Sequence, residues 1–365
     1  MRKFNFSMPT KIVFGQDVVK DAGESLALGK KALIVTGKTS ARLSGALDDV
    51  LSVLPGEYVI FDEVENNPTG ENCAQGARLA REEGCDYIIA IGGGSPLDAA
   101  KVMAVLAVND KQPLELYGGW EHKALPIAAI PTTAGTGSEV TPYAVLTLHE
   151  EETKKGLGGP DLFPAVAYLD AKYTASLPLQ TTIDTAVDAL SHLVEGYLSN
   201  RATPASDWVA LQGIALWGTA LPALRQGELS LEAREDLLLA SMLGGITIAQ
   251  TGTTMVHALG YPLTYFHDYP HGRANGVLMA SYLEYTRDKA PERVDMVLEL
   301  LDQPSLQAFR DLMDELFADY VGKLHVPEEA IKAYAAKAAK TKNIAYTLGT
   351  PSAEELTKIL KDNIL

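Results

Sequence analysis

Cysteine is scarce in this chain, whose 365 residues include only Cys73 and Cys85. Two thiols make no disulfide framework, and a spacing of 12 residues matches no zinc motif. Long apolar runs are missing too, because no stretch reaches the roughly 18 apolar residues that a membrane-spanning helix needs. The first six residues include the basic Arg2 and Lys3 but no apolar run follows them, so we expect no signal peptide. These absences favour a cytoplasmic protein with reduced thiols.

Positive charge is also in short supply. The chain has 31 basic and 47 acidic side chains, for a net charge of -16. Such a surface repels nucleic acids and anionic membranes, so neither is an expected partner. An anionic ligand must therefore be held by a local site and not by the general field of the protein.

The first half of the sequence alternates short buried strands with helical segments. Runs rich in β-branched residues predict strands at Lys31–Thr36, Tyr58–Phe61, Asp86–Ile91, Pro126–Ile130 and Val166–Leu169. Helices are predicted between them at Ala41–Leu54, 70–84 and Ser95–Val108. Near-continuous apolar strands that alternate with helices indicate a parallel sheet covered on both faces. This half is therefore predicted to be a Rossmann-like, nucleotide-binding α/β domain.

The second half is predicted to be all-helical, because apolar residues recur there at three- and four-residue spacing. The predicted helices are Thr181–Leu198, Thr203–Arg225, Leu231–Thr251, Ala274–Asp288, Leu306–Leu324, Glu328–Lys342 and Ala353–Ile364. We place the domain boundary near Leu177 and Pro178, with an α/β domain at 1–178 and an all-α, metal-binding domain at 179–365. A cleft between two such domains is a usual place for a ligand.

Four residues of the helical half have the chemistry of a metal site. Asp188 and His192 stand four apart, which places them on one helix face, one turn apart. His257 follows at the end of another predicted helical segment, and His271 comes 14 residues later. One oxygen and three nitrogens suit Zn²⁺ or Fe²⁺. An Asp-x-x-x-His pair is also common in helices that bind no metal, as an N-terminal acidic residue and a hydrogen-bonded histidine. The spacing alone therefore leaves both a metal site and this structural role open.

Two polar, glycine-containing loops predict a phosphate site in the α/β half. Gly92-Gly93-Gly94-Ser95 lies between a strand and a helix, where the backbone and the helix start can approach a pyrophosphate. The same triplet also suits a simple tight turn. The second loop, 131–138, offers four hydroxyl groups. They belong to Thr132, Thr133, Thr136 and Ser138.

The residues after the first predicted strand bear on the choice of cofactor. Enzymes that prefer NAD often have an acidic residue there to bind the ribose hydroxyls. Here the position is Gly37, with Lys38 and Ser40 close by. A cation and a hydroxyl suit a 2′-phosphate, so we predict that NADP is preferred and NAD is the alternative, although Lys38 also fits a solvated loop lysine.

Four motifs in this order resemble the iron-containing (group III) alcohol dehydrogenase family, which has the dehydroquinate synthase-like fold. The motifs are 92–101 (GGGSPLDAAK), 131–139 (PTTAGTGSE), 188–195 (DALSHLVE), and His257 with His271 before Gly272. The resemblance spans nearly the whole chain. It implies an iron cofactor, with zinc an alternative in the isolated protein, and a homodimer or larger assembly. The segment from Lys11 to Gly15 is a candidate edge strand for self-pairing.

The resemblance also implies roles for individual residues. Asp188, His192, His257 and His271 match metal ligands, and Gly93, Gly94 and Ser95 match the pyrophosphate loop. Thr132, Thr133, Thr136 and Ser138 match the second cofactor loop. Three further matches lie near the cofactor: Asp98, Asn67 and Lys154, with the adjacent Lys155 as the alternative to Lys154. Where many members have a histidine four residues beyond the third ligand, this chain has Tyr261, so either Tyr261 or His267 is expected to take the catalytic proton-relay role.

The expected activity is hydride transfer between NAD(P) and a small alcohol, diol or aldehyde, of the kind that 1,3-propanediol represents. A polyol dehydrogenase of the glycerol type is the nearest alternative. A lyase related to dehydroquinate synthase needs several cations near its metal, whereas 188–196 and 257–273 contain one arginine. A non-catalytic NADP-binding protein would not need the four ligands.

Overall fold

The computed structural model describes residues 3–318 and 326–364. It divides into two compact units, one of residues 8–177 and one that runs from Pro178 onward and includes the N-terminal residues through Ser7. The first unit holds all of the named strands and the second is helical, so the predicted fold class is confirmed.

A six-stranded parallel sheet forms the centre of the α/β unit, because its strands are apolar on both faces. The strand order is β1-β8-β5-β4-β2-β3. Its strands are β1 (Lys11–Phe14), β2 (Lys31–Gly37), β3 (Glu57–Val64), β4 (Tyr87–Gly92), β5 (Ile127–Pro131) and β8 (Val166–Leu169). Every residue of β4 is buried, and separate apolar clusters pack on the two sheet faces. The carboxyl ends of β2, β4 and β5 therefore lie side by side.

The helices of the α/β unit connect these strands. They are α1 (Val18–Ala22), α2 (Ser40–Leu43), α3 (Ala46–Val53), α4 (Gly70–Glu82) and α5 (Gly94–Leu106). The helix predicted over Ala41–Leu54 is wrong as a single element. Gly45 has a φ of 79°, a left-handed conformation that ends α2 and precedes α3.

An antiparallel hairpin of β6 (Tyr143–Leu148) and β7 (Thr153–Gly158) was not predicted. β7 reads TKKGLG, and its two lysines and two glycines are residues that strands disfavour, so the sequence offers no partner for β6. The hairpin bears on the candidate cofactor site because it carries Lys154.

The helical unit has ten helices among the described residues. They are α6 (Leu179–Tyr197), α7 (Pro204–Gln226), α8 (Leu231–Thr251), α9 (Met255–His267), α10 (His271–Arg287), α11 (Pro291–Leu300), α12 (Leu306–Leu316), α13 (Glu328–Ala338), α14 (Lys342–Tyr346) and α15 (Ala353–Ile364). None of the described helices combines the length and apolar character needed to cross a bilayer.

Several predicted helix ends differ from those observed. His257 lies in the first turn of α9 and not at the end of a helix, and α10 begins at His271, three residues earlier than predicted. The helix predicted to reach Leu324 ends at Leu316, and residues 319–325 lie outside the described ones. The predicted helix 328–342 stops at Ala338, and Thr341 precedes a separate short helix.

Candidate metal centre

Helix α6 presents two candidate ligands and a second acidic residue on one face. Asp188, His192 and Glu195 are spaced by four and three residues, which aligns them along one side of a helix. All three side chains are buried. The helix therefore removes two carboxylates and an imidazole from water at one place, which is costly unless each is paired.

Two further imidazoles reach the same place from the starts of α9 and α10. His257 Nε2 lies 3.0 Å from His192 Nε2. Asp188 Oδ1 lies 3.9 Å from the Nε2 atom of His192, and 3.8 Å from that of His257 and that of His271. One ligand atom each from Asp188, His192 and His257 falls within a 4.8 Å group. The structure thus brings together all four residues that the sequence suggested.

The donor set fits a divalent cation. Four ligands at about 2.1 Å around a tetrahedral ion are separated by about 3.4 Å, and the measured separations lie on both sides of that value. The Nε2 atoms of His192 and His257 face each other, and a cation between them would accept a lone pair from each. Burial raises the pKa of Asp188, but the adjacent His192, His271 and His257 outweigh it and hold that pKa below its usual value. Asn275 Nδ2 donates to Asp188 Oδ1 at 3.0 Å and so orients the carboxylate.

Glu195 is the buried residue whose part in this group the sequence did not reveal. Its Oε2 contacts Nδ1 of His257, and its Oε1 faces the amide groups that begin α9. Burial raises the pKa of Glu195, but the combined effect of His257 and Thr254 is larger and holds that pKa below its usual value. The signal in the sequence was its place three residues after His192, but its partners are 59 to 62 residues away.

The two candidates for proton relay have different surroundings. The Tyr261 ring stacks on that of His271, with centroids 5.6 Å apart and an interplanar angle of 9°, and it meets His257 edge-on at 6.3 Å. His267 Nε2 instead lies 3.1 Å from the hydroxyl of Tyr334, at the other end of α9. Ten residues of helix separate His267 from His257, or about 15 Å of rise. The structure therefore brings Tyr261, and not His267, to the metal group.

In the α/β unit, the two predicted phosphate loops follow β4 and β5 and touch each other. A Cβ on Gly94 would lie 2.6 Å from Cγ2 of Thr136, and one on Gly93 would lie 3.1 Å from Cγ2 of Thr133. Only glycine allows the loops to approach so closely. Gly94 opens α5, so the amide groups at the start of this 13-residue helix lie beside the hydroxyl-bearing loop. Thr132 lies apart from these, since it is buried beside β4, where its amide donates to Gly92.

Beneath these loops, a buried lysine and aspartate fix the second loop to α5. Lys101 Nζ donates to Ser138 Oγ at 2.8 Å and to the Tyr143 carbonyl at 2.7 Å. Ser138 Oγ in turn donates to Asp98 Oδ1 at 2.6 Å, and Asp98 Oδ2 accepts from the Val145 amide at 2.8 Å. The side chains of Asp98 and Ser138 thus hold the second loop in place. Their contribution to a cofactor site is therefore to fix the shape of that loop.

A second network joins the hairpin to the glycine loop. The Asn67 amide donates to Ser95 Oγ at 3.1 Å, and Lys154 Nζ donates to Asn67 Oδ1 at 2.8 Å. Asn67 has a φ of 56°, in the left-handed region that asparagine tolerates. Lys155 pairs instead with Glu151 at 2.9 Å. Of the two lysines, the structure places Lys154 next to the predicted cofactor residues.

The three residues predicted to select the cofactor lie where β2 leads into α2. Gly37 ends the strand, Lys38 is exposed, and Ser40 begins the helix. A Cβ at Gly37 would meet only ordinary contacts, 3.6 Å from the Val64 carbonyl oxygen and 3.8 Å from Pro96. A larger side chain therefore fits at this position.

Comparisons with known protein families and structures are consistent across both units. Residues 9–171 match the family model described as iron-containing alcohol dehydrogenase, and residues 182–364 match that of the C-terminal region of the same family. A 1,3-propanediol dehydrogenase from Klebsiella pneumoniae is 37% identical over 312 residues, which cover 83% of this chain and 80% of that protein. Lactaldehyde reductase from Escherichia coli is 34% identical over 270 residues, which cover 72% of this chain and 70% of that protein.

Solved structures are similar over the full length. An iron-containing alcohol dehydrogenase from Thermotoga maritima superposes with a TM-score of 0.91 and 39% identity, covering 99% of each chain. A 1,3-propanediol oxidoreductase superposes with a TM-score of 0.90 and 32% identity, covering 99% of this chain and 100% of the other.

Proposed function

Since this chain belongs to the iron-containing alcohol dehydrogenase family, we propose that it is a metal- and NADP-dependent enzyme that interconverts small alcohols and aldehydes. The observation that carries the proposal is the buried group of Asp188, His192 and His257, joined by His271. Relatives named for 1,3-propanediol make short diols the first substrates to test.

The four ligand residues would hold a ferrous or zinc ion. When bound, the ion would supply Lewis-acid polarisation of an alcohol or carbonyl oxygen, with NADP⁺ as the hydride acceptor in oxidation and NADPH as the hydride donor in reduction. The ligands alone do not favour iron, because zinc binds more tightly at comparable nitrogen and oxygen sites. Family membership is the reason to test iron first.

The chain's own residues set the rest of the chemistry. Tyr261 lies flat on His271, so its ring forms one wall beside the ligands, and we propose that its hydroxyl hydrogen-bonds the substrate oxygen. Arg273, the cation nearest to His271 in sequence, is buried and donates to Asp184 at 3.0 Å. A cation committed to a carboxylate does not bind a substrate anion, which supports small uncharged substrates over the acidic sugar of a dehydroquinate synthase relative.

Metal removal and restoration test the proposal. We expect the chelated protein to lose turnover with 1,3-propanediol, glycerol, short alcohols and aldehydes, and Fe²⁺ or Zn²⁺ added separately to restore it. His257→Ala should abolish turnover while NADPH binding, measured by fluorescence, stays within about twofold, because the cofactor loops lie in the other unit. Full activity of the metal-free protein contradicts the proposal. Activity confined to glycerol favours the polyol alternative, and bound cofactor without turnover on any substrate favours a binding protein.

The cofactor preference has its own test, Gly37→Asp. A carboxylate here repels a 2′-phosphate and accepts from ribose hydroxyls, and hydrogen bonds to charged groups contribute about 1.5–3 kcal/mol. We expect the ratio of kcat/KM for NADP to that for NAD to fall by about tenfold or more. Lys38→Ala is the comparison, since it removes the cation without adding an acid and should weaken NADP binding alone. An unchanged ratio in both variants contradicts the NADP assignment.

We also propose that the protein forms a homodimer or larger assembly. The support is the position of β1 at one edge of the six-stranded sheet, bonded to β8 on one side. Light scattering after size exclusion measures the mass directly, and a monomer of 39.1 kDa at working concentration contradicts this proposal.

A further inference from the structure

We propose that Glu195 is a positioning residue that fixes the tautomer and direction of His257, a role that rests on the metal-dependent function proposed above. Glu195 is fully buried on α6, one turn beyond His192. One helix therefore carries two ligands together with the carboxylate that aims a third ligand from another helix. A carboxylate against the second nitrogen of a metal-bound histidine raises the basicity of the ligand and sets its orientation.

The two oxygens of Glu195 have separate tasks. Oε1 accepts from Thr254 twice, from its amide at 2.8 Å and its hydroxyl at 2.7 Å. It also faces the amides of Val256 at 3.1 Å and His257 at 3.4 Å. Oε2 is in contact with His257 Nδ1. Oε1 thus anchors the start of α9, because it accepts from amide groups that have no partner within the helix. Oε2 contacts the ring of His257 in the first turn of the same helix.

The tautomer follows from this division. A carboxylate only accepts hydrogen bonds, so the proton of a neutral His257 stays on Nδ1, and Nε2 keeps its lone pair. That Nε2 atom is the one 3.0 Å from His192 and 3.8 Å from Asp188. Glu195 therefore holds His257 in the tautomer whose Nε2 lone pair faces the other ligands and can bind a cation.

Glu195→Gln separates the two tasks. An amide has one accepting oxygen and one donating nitrogen. Four donors face Oε1, so the Gln oxygen is retained there and the NH₂ group faces His257 Nδ1. Nδ1 must then accept, which moves the ring proton to Nε2 and blocks the metal-binding nitrogen. The anchor of α9 remains.

The test measures Zn²⁺ affinity by competition with a chromophoric chelator, and the absorption of the Co²⁺-loaded protein. For Glu195→Gln we expect affinity to fall about 10- to 100-fold, with an altered Co²⁺ spectrum and a melting temperature of the metal-free protein close to that of the wild type. Glu195→Asp keeps the acceptor charge and should recover part of the affinity. The control is Thr254→Val, which removes one donor to Oε1 and leaves Oε2 untouched, so its affinity should stay within about threefold of the wild type.

Wild-type affinity in Glu195→Gln overturns the inference. So do equal losses of affinity in Glu195→Gln and Thr254→Val, because the residue then acts only through the helix start. If Glu195→Gln does not fold, long-range ¹H–¹⁵N correlations of histidine-labelled, metal-free wild type decide the matter, and a His257 proton on Nε2 overturns the inference. Failure of the wild type to bind Zn²⁺ or Co²⁺ is a different result, which removes the proposed function and this role together.

Discussion

Four buried or partly buried charged residues near the candidate ligand sites are held by hydrogen-bond donors or by oppositely charged groups. Asp188 and Glu195 have imidazole and amide partners, and Asp98 and Lys101 share Ser138. Glu139 differs, because its Oε1 is buried without a hydrogen-bond partner among the described residues. Burial raises the pKa of Glu139 to about 7, against smaller lowering effects from its own amide and from Lys101.

Glu139 should therefore make the stability of the protein pH-dependent. The folded-state pKa lies above the usual 4.5, so between these values the native state binds more protons than the unfolded state, and stability falls as pH rises. Glu139→Gln mimics the protonated acid. We expect the variant to match the wild type below about pH 4 and to exceed it by at most about 3 kcal/mol above pH 7. Urea unfolding at several pH values measures the gap. The exposed Glu121→Gln variant controls for the loss of one carboxylate, and curves for Glu139→Gln that run parallel to the wild type contradict the prediction.

At the scale of elements, the candidate metal centre depends on how closely α10 packs against α6. A Cβ on Gly272 would lie 1.7 Å from the backbone oxygen of Asp184 and 3.1 Å from Cβ of Asp188. Neither atom can move without shifting α6. The glycine thus allows His271, at the start of α10, to come within 3.8 Å of the Asp188 carboxylate.

Gly272→Ala should open this packing. We expect a loss of about 3 kcal/mol in the free energy of unfolding, because overpacking against backbone has no cheap relief, together with at least a tenfold loss of Zn²⁺ affinity. Thermal unfolding and chelator competition measure the two effects. Gly118→Ala is the matched control, since no heavy atom lies within 4 Å of its Cβ position. Wild-type stability and affinity in Gly272→Ala would show that the two helices separate without cost.

The same contacts explain which elements the sequence predicts and which it does not. Asp188 and His192 share a helix, so their relation follows from helical spacing alone. Predicting α10 from Ala274 was wrong because Gly272 resembles a helix breaker, whereas its role is close approach to another helix. The place of Glu195 depends on residues about sixty positions away, which no local pattern reports. Strands that were apolar throughout, such as β4, were recognisable, and the β6–β7 hairpin, whose second strand contains two lysines and two glycines, was not.

At the scale of the whole molecule, the net charge of -16 works against any polyanionic ligand. The proposed NADP is such a ligand, so we propose that short-range donors at the loops after β2, β4 and β5 bind it. These donors lie within residues 8–177, whereas the four candidate metal ligands all lie in the helical unit. The two proposed cofactors thus bind to different units. Each should therefore protect a different set of backbone amides from hydrogen exchange.

Hydrogen–deuterium exchange should distinguish the amides protected by the metal from those protected by the nucleotide. Zn²⁺ should slow exchange within 184–195 and 254–275, and NADPH should slow it within 36–43, 92–101 and 131–141. A ligand at 100 times its Kd stabilises what it binds by about 2.7 kcal/mol, so amides that exchange through local opening of the site should slow by about 100-fold. Asp188→Asn is the control, because it removes a ligand charge and should lose the protection by Zn²⁺ while it keeps that by NADPH. Protection by Zn²⁺ that survives in Asp188→Asn places the ion elsewhere, since the centre described above needs that carboxylate to balance a divalent charge out of water.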